Sequence, residues 1–231
     1  MRTLRAILIA VDSHPNMKFE VFERLNTGSI LLNAQELRNS VYRGSFNNLL
    51  RYLARAPSLR TIIGTKSPRK RMVDEELILR FLSLKAHLGD YRTPLKRFLN
   101  DFMQEKRNAE EEEIDRLRIE FNRTVDLALH LFGSAGFRVT DRTGRTIEPA
   151  VNRALFDSQM LASSWIKSDM RLIDVAAVRH EYAALFGDDT FVDSIQRATG
   201  DRARTLKRVR ETIVAMGRAG VQTEVPFDLS R

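Results

Sequence analysis

The chain has 231 residues, of which 38 are Lys or Arg, 30 are Asp or Glu and none is Cys. Its length suffices for a hydrophobic core, and the lack of cysteine excludes disulfide scaffolds, thiolate zinc sites, iron–sulfur clusters and cysteine nucleophiles. No run approaches roughly 18 uncharged apolar residues, and the apolar run Ala6–Val11 ends at Asp12 without a signal-cleavage site. We therefore expect a cytoplasmic protein with no membrane partner.

Positive charge is concentrated in the first half of the chain. Residues 1–108 carry 20 Lys+Arg against 10 Asp+Glu, a net of +10, whereas residues 109–231 carry 18 against 20, a net of −2. Such a basic half is compatible with a polyanionic partner such as DNA or RNA. A solvated surface in an arginine-rich proteome is the alternative, because 30 of the 38 basic residues are Arg.

The N-terminal residues predict a small β element. Leu4–Val11 is short, apolar and partly β-branched, which indicates a strand. Lys18–Phe22 alternates enough for a second short strand, and residues 26–29 have the composition of a turn. Nearly everything that follows carries helical periodicity.

Apolar spacing, capping residues and helix breakers predict nine helices. Their ranges are 34–43, 46–56, 72–88, 95–106, 109–132, 151–165, 173–186, 191–198 and 202–216. Gly44 is expected as a left-handed cap after the first, which opens with a capping box of Asn33 and Glu36. Thr93 and Asn108 are expected to cap the fourth and fifth. The prediction is a mainly α, bundle-like domain with a small N-terminal β element.

No residue pattern points to a catalytic or metal centre. The four histidines have no paired metal-ligand spacing, and Gly64–Ser67 lacks a glycine directly before Lys66, which a phosphate loop requires. Asp188 and Asp189 are expected as helix caps. Residues 141–149 are expected to form a polar loop.

Two basic clusters are candidate DNA-binding surfaces that could follow phosphates. The first lies in a loop before the third helix and consists of Lys66, Arg69, Lys70 and Arg71. The second lies on the last helix and consists of Arg204, Lys207, Arg208 and Arg210. Both lack the interleaved aromatic residues of a single-strand stacking surface. Solvated faces are the alternative, favoured for the second cluster because acidic residues flank it.

The most informative stretch is Val21–Asn39, with the sequence VFERLNTGSILLNAQELRN. It predicts the end of a strand, a turn at Gly28 and a capped helix. Asn26, Thr27 and Gly28 offer side-chain and backbone donors at a tight turn, which suits the binding of an anion. A turn that serves only to reverse the chain is the alternative.

This stretch resembles the F-x-R-L-N-T-G-G…L…E-L-R-N segment of domain of unknown function family 262. That family is known from GmrSD-type modification-dependent restriction proteins of bacteria and archaea. The RGSF run at 43–46 and the RMVDEEL run at 71–77 are similar to its downstream helical pattern. The likeness is marked from Arg2 to Leu88 and less distinctive through Arg210. Ser29 stands where a second glycine is common.

The resemblance implies a ParB- and sulfiredoxin-like N-terminal half, nucleotide hydrolysis and sensing of modified DNA. The family's Asp-Gly-Gln-Gln-Arg motif and its HNH-like nuclease domain are missing, and Asp193–Arg197 lacks the glycine that would let backbone approach phosphate. The chain is therefore expected to be the C-terminal part of such a protein. Residues 1–44 would end its ParB-like half, as the remnant of an α+β fold, and residues 45–231 would form a helical domain.

The resemblance also supplies candidate nucleotide- or phosphate-binding residues, which are Arg24, Asn26, Thr27, Gly28, Arg38 and Asn39. Phe22, although part of the motif, is expected to pack in the core. No catalytic or metal-binding residue is assigned, and the chain alone is expected to hold no cofactor. The complete family domain would take an NTP, with or without Mg.

The expected function is therefore part of a prokaryotic defence protein that binds DNA, modified or not, and supplies one edge of a nucleotide site. We expect no enzymatic activity from this chain alone. Its expected partners are DNA, a separate N-terminal half or nuclease subunit, or a second copy of itself. The main alternative is a non-enzymatic helical protein-interaction module, and an intact enzyme with unrecognised residues is a third hypothesis.

Overall fold

The computed structural model describes residues 17–26 and 31–229, and this part of the chain is mainly α-helical, as predicted. Its eleven α-helices are α1 (Met17–Leu25), α2 (Ala34–Val41), α3 (Ser45–Leu53), α4 (Pro57–Ile63), α5 (Val73–His87), α6 (Leu95–Glu105), α7 (Glu111–Phe132), α8 (Arg153–Ser164), α9 (Val175–Ala184), α10 (Asp189–Gln196) and α11 (Arg202–Arg218). None of these helices is long and apolar enough to cross a membrane.

A small β element lies between α7 and α8. Strands β1 (Val139–Thr140) and β2 (Thr146–Glu148) pair antiparallel, with Val139 opposite Glu148. The turn between them is held by the Asp141 carboxylate, which accepts hydrogen bonds from the backbone of Thr143 and Arg145. The polar loop predicted at 141–149 is thus wrong for its second half. The strand predicted at Leu4–Val11 lies outside the described residues.

Helix α1 corrects the strand predicted at Lys18–Phe22. Its side chains are mostly those of good helix formers, and Glu20 and Arg24 suit the helix dipole at its two ends. Phe19 is buried and stacks on Tyr42, with 6.5 Å between ring centroids. Phe22 is 51% exposed, so the expectation that it packs in the core is wrong as well.

The capping box of α2 is confirmed. The Asn33 Oδ1 accepts from the backbone N–H of Gln35 and Glu36 at 2.9 Å each, and a carboxylate oxygen of Glu36 accepts from the Asn33 N–H at 2.7 Å. The helix ends at Val41, and Gly44 does not form its left-handed cap. Instead Gly44 is extended, with φ 164°, directly before α3. A Cβ on Gly44 would lie 2.0 Å from the Arg107 carbonyl oxygen, so close approach of backbone explains the glycine.

Gly44→Ala is therefore expected to lower the free energy of unfolding by about 1–3 kcal/mol, because the added methyl forces two backbone segments apart. Urea denaturation followed by circular dichroism measures the change. Gly217→Ala is the matched control, since a Cβ there meets no atom within 4 Å and alanine favours the helix over glycine. Equal stability of Gly44→Ala and the parent chain would contradict the steric role of the Arg107 carbonyl at this position.

Several helix boundaries differ from the predicted ones, because the residues expected to cap or end these helices do not do so. The predicted 46–56 helix ends at Leu53, and Pro57 begins a further short helix, α4, whose C-cap is Gly64 in the left-handed conformation. Thr93 and Asn108 do not cap their helices, which begin at Leu95 and Glu111. The Asp188 cap is confirmed, because its side chain accepts from the Thr190 N–H at 2.8 Å.

Helix α8 lies at the centre of the core. Every residue from Ala154 to Ser164 is buried, and the helix packs against α5, α7, α10 and α11. Asp157 is the one ionisable residue in this buried stretch of α8. Its carboxylate accepts hydrogen bonds from Nε of Arg80 at 3.0 Å and from Nη2 of Arg208 at 3.3 Å. We call these three residues the buried triad.

The division of the chain at residue 44 stays a prediction. Phe19, Leu37 and Tyr42, which precede the boundary, belong to the same buried apolar cluster as residues of α3 to α11. The described helices on both sides of residue 44 thus share one hydrophobic core.

Candidate anion-binding site

The described residues among the six assigned by resemblance to a phosphate site are Arg24, Asn26, Arg38 and Asn39, and they do not converge on one site. Arg24 is exposed on α1 and lines an open groove between α1 and α6. The Asn26 side-chain amide forms two hydrogen bonds with the backbone of Leu32. It donates to the Leu32 carbonyl at 2.8 Å and accepts from the Leu32 N–H at 3.0 Å. Thr27 and Gly28 lie outside the described residues.

Arg38 and Asn39 are buried on α2 and turn to different neighbours. Arg38 is 2% exposed, and it donates from Nε to the Asn100 side chain at 2.8 Å. Burial lowers the pKa of the Arg38 guanidinium from its ordinary value, and the nearby Glu76 carboxylate opposes that shift. The Asn39 amide donates to the Glu75 carboxylate, inside the protein.

Arg38 lines a pocket of about 370 Å³ between the starts of α2, α5, α6 and α8. We call it the basic pocket. Its charged lining comprises five cations and a single carboxylate, and these are Arg38, Arg71, Arg80, Lys96, Arg153 and Glu76. No histidine contributes to this lining, so its positive charge does not depend on histidine protonation near neutral pH.

The cations of the basic pocket outnumber the carboxylates that pair with them. Glu36 pairs with Arg71 at 2.9 Å, Glu23 pairs with Lys96, and Asp157 is shared by Arg80 and the buried Arg208. Arg38 and Arg153 share Glu76, at 3.7 and 3.8 Å. The five lining cations share these four carboxylates with the buried Arg208, so positive charges outnumber negative ones by two in the ion-pair network that includes the pocket.

Helix starts add to this positive field. Ala34, Val73, Leu95 and Arg153 are the first residues of α2, α5, α6 and α8, and all four line the basic pocket. The positive end of a helix dipole and its free N–H groups favour an anion. No side chain caps the starts of α5 and α6. Side-chain cations and backbone donors therefore converge on one pocket.

The first basic cluster is divided between the basic pocket and the surface. Arg71 lines the pocket, and its hydrogen bond lowers the pKa of the Glu36 carboxyl. Arg69 is held by Asp74, at 2.7 Å from Nε to Oδ1. Lys66 and Lys70 are exposed. Of the four predicted DNA contacts, these two lysines are the ones available to a partner without breaking an ion pair.

The second basic cluster is mostly used within the fold. Arg204 pairs with Asp193, and the Lys207 ammonium donates to the Thr190 hydroxyl. Arg208 is fully buried, and it donates to the Thr199 carbonyl at 2.8 Å as well as to Asp157. The expectation that Arg208 contacts DNA is wrong, because the side chain faces the core of the protein.

Sequence reasoning missed three cations of the basic pocket. Arg80 looks like one more residue of a periodic helix, Lys96 follows a Thr-Pro breaker, and Arg153 follows the helix-capping Asn152. For Lys96 and Arg153 the available signal is their position at a helix start, whereas Arg80 lies about two turns beyond the start of α5 and carries no such signal. Which starts meet is decided by tertiary packing.

The donor set of the pocket suits an anion and not a metal cation. Its single lining carboxylate, Glu76, already lies near two arginines. Mg²⁺ requires several oxygen ligands, which this lining does not supply. We find no match to the chain among known protein families, curated proteins or solved structures.

Proposed function

We propose that this chain is the phosphate-binding helical part of a nucleotide-dependent DNA defence protein of the domain of unknown function family 262 type. The observation that carries the proposal is the convergence of five cations on the basic pocket, within an ion-pair network that has two more positive than negative charges. Arg38, from the stretch that resembles the family, lies on the inner wall of this pocket. A bound phosphate dianion would complete the charge balance.

The pocket would act as one edge of a nucleotide site. Arg38 and Arg80 are held in place by Asn100 and Asp157, so neither loses much side-chain freedom when an anion binds. The lining supplies no free carboxylate as a general base, since its single carboxylate, Glu76, lies 3.7 and 3.8 Å from the guanidinium groups of Arg38 and Arg153. We therefore expect this chain to bind nucleotide without hydrolysing it.

Binding of a fluorescent ATP analogue at low ionic strength tests this proposal. The double variant Lys96→Gln, Arg153→Gln removes two partly exposed cations of the pocket, and we expect its affinity to fall about tenfold or more. Arg97→Gln is the matched control, because Arg97 neighbours Lys96 and is 66% exposed outside the basic pocket. An unchanged affinity in the double variant, or no binding by the parent chain, would refute the pocket as a nucleotide site.

A non-enzymatic interaction module is the second candidate function, and exposed apolar side chains near α1 favour it. Phe22, Leu25, Leu31 and Leu32 are 51%, 56%, 58% and 43% exposed. Neighbouring exposed apolar residues are a common feature of protein-binding surfaces. This hypothesis predicts a dominant protein partner whose binding is lost in Phe22→Ser, Leu25→Ser, and no salt-dependent retention on DNA.

A further inference from the structure

The basic pocket differs from an ordinary basic surface because its inner wall is made of nearly buried cations. Arg38 is 2% exposed and Arg80 is 4% exposed, whereas Lys96 and Arg153 at the mouth have side chains that are 45% and 55% exposed. Arg71, whose side chain is 51% exposed, also lines the pocket, so the inner pair lies deeper than three exposed cations of the lining. The pocket therefore favours a terminal group of a ligand over a group in the middle of a chain.

Phosphate groups differ in whether they can reach the inner cations of the pocket as the terminal group of a ligand. A phosphomonoester carries about −1.5 to −2 charges near pH 7 and presents three acceptor oxygens on a single substituent. A phosphodiester in a nucleic-acid strand carries one negative charge and has a sugar on both sides. Only the first carries a charge close to the two-charge excess of the surrounding ion-pair network, and only the first can enter end-on.

The structure also offers a place for the single substituent. The basic pocket adjoins a second groove of about 320 Å³, and the two share Val73 and Arg153 in their linings. The walls of that groove combine apolar side chains such as Leu77 and Ile195 with the polar Thr199. A sugar and base attached to the bound phosphate fit this mixture of apolar and polar contacts.

We propose that the basic pocket selects a terminal, dianionic phosphomonoester and discriminates against the phosphodiester of a continuous strand. This inference rests on the proposed function, because it specifies the chemistry of the anion that the pocket binds. Two sources carry the group: a free nucleotide and a phosphorylated nucleic-acid end.

Matched ligands test the selectivity in the full chain. Adenosine 5′-monophosphate is compared with its phosphate methyl ester, which keeps the base and sugar but has one charge fewer. Single-stranded DNA of one sequence is compared with and without a 5′-phosphate. We expect the monoester to bind about tenfold more tightly than the diester analogue. A stronger preference in the nucleotide pair or in the DNA pair identifies the source.

The pocket variants show whether the selectivity arises in the basic pocket. In Arg153→Gln the preference for the monoester should shrink several-fold, whereas Arg97→Gln should retain it. Arg38→Gln should abolish the preference, and if that buried substitution prevents folding, Arg153→Gln still decides the matter. Circular dichroism establishes which variants are folded.

Failure of this inference is distinguishable from failure of the proposed function. Equal affinities for the monoester and its methyl ester, both weakened in Lys96→Gln, Arg153→Gln, would overturn the selectivity and leave an anion pocket in place. Absence of binding to either ligand and to the ATP analogue would overturn both.

Discussion

Asp157→Asn is expected to lower the free energy of unfolding by about 3–5 kcal/mol, because it leaves two buried guanidinium groups without a counter-charge. Arg80 is 4% exposed and Arg208 is fully buried, and Asp157 is their shared carboxylate. Burial lowers the pKa of Arg208, and Asp157 opposes that shift. Urea denaturation followed by circular dichroism measures the loss.

The triple replacement Arg80→Met, Asp157→Leu, Arg208→Met separates the cost of unpaired charge from the cost of lost packing. Replacing a complete buried ion cluster with apolar residues of similar volume is often neutral or stabilising. We expect the triple variant to be clearly more stable than Asp157→Asn. Asp157→Asn within about 1 kcal/mol of the parent chain would mean that the triad tolerates an uncompensated charge.

The triad also connects the core to the basic pocket, because Arg80 belongs to both. The triple variant should therefore fold and still bind the ATP analogue more weakly than the parent chain. A fully retained affinity would show that Arg80 contributes to the core alone, and that the other four pocket cations suffice.

Local signals explain which parts of the fold are predictable from the sequence. The α2 capping box is a contact between residues three apart, so Asn33 and Glu36 determine it by themselves. Lys18–Phe22 is too short for its pattern to separate a strand from a helix, and packing of Phe19 on Tyr42 helps place it in α1. The sequence predicts a left-handed cap at Gly44, whereas the close approach of Arg107, more than sixty residues away, explains this glycine.

The candidate site was less predictable than the fold, because its charges come from separate helices. Arg38 enters the prediction through the resemblance, and Arg71 through a run of basic residues in the sequence. Lys96 and Arg153 lie 58 and 115 residues beyond Arg38, and no motif links them to it. Helix patterns indicate that such residues lie near helix starts, but only tertiary packing brings four of those starts to one pocket.

A test of DNA binding at the first basic cluster should not reverse all four of its charges, which lie between Lys66 and Arg71. Arg69 holds Asp74, and Arg71 holds Glu36, so reversing either charge would disturb the fold as well as any DNA contact. Lys66→Glu, Lys70→Glu changes only exposed side chains. The matched control is Arg116→Glu, Arg218→Glu, which reverses two exposed cations on α7 and α11 that form no ion pair with the described residues.

The lysine double variant is expected to bind duplex DNA at least tenfold more weakly at low salt, and the slope of log affinity against log salt should fall by about 2. Fluorescence anisotropy over a series of salt concentrations measures both quantities. The control variant should keep the parent slope, because its charges lie outside the proposed contact. If both double variants lose affinity equally, the attraction comes from net charge alone. If neither parent nor variant binds DNA, the helical interaction module becomes the better account of the chain.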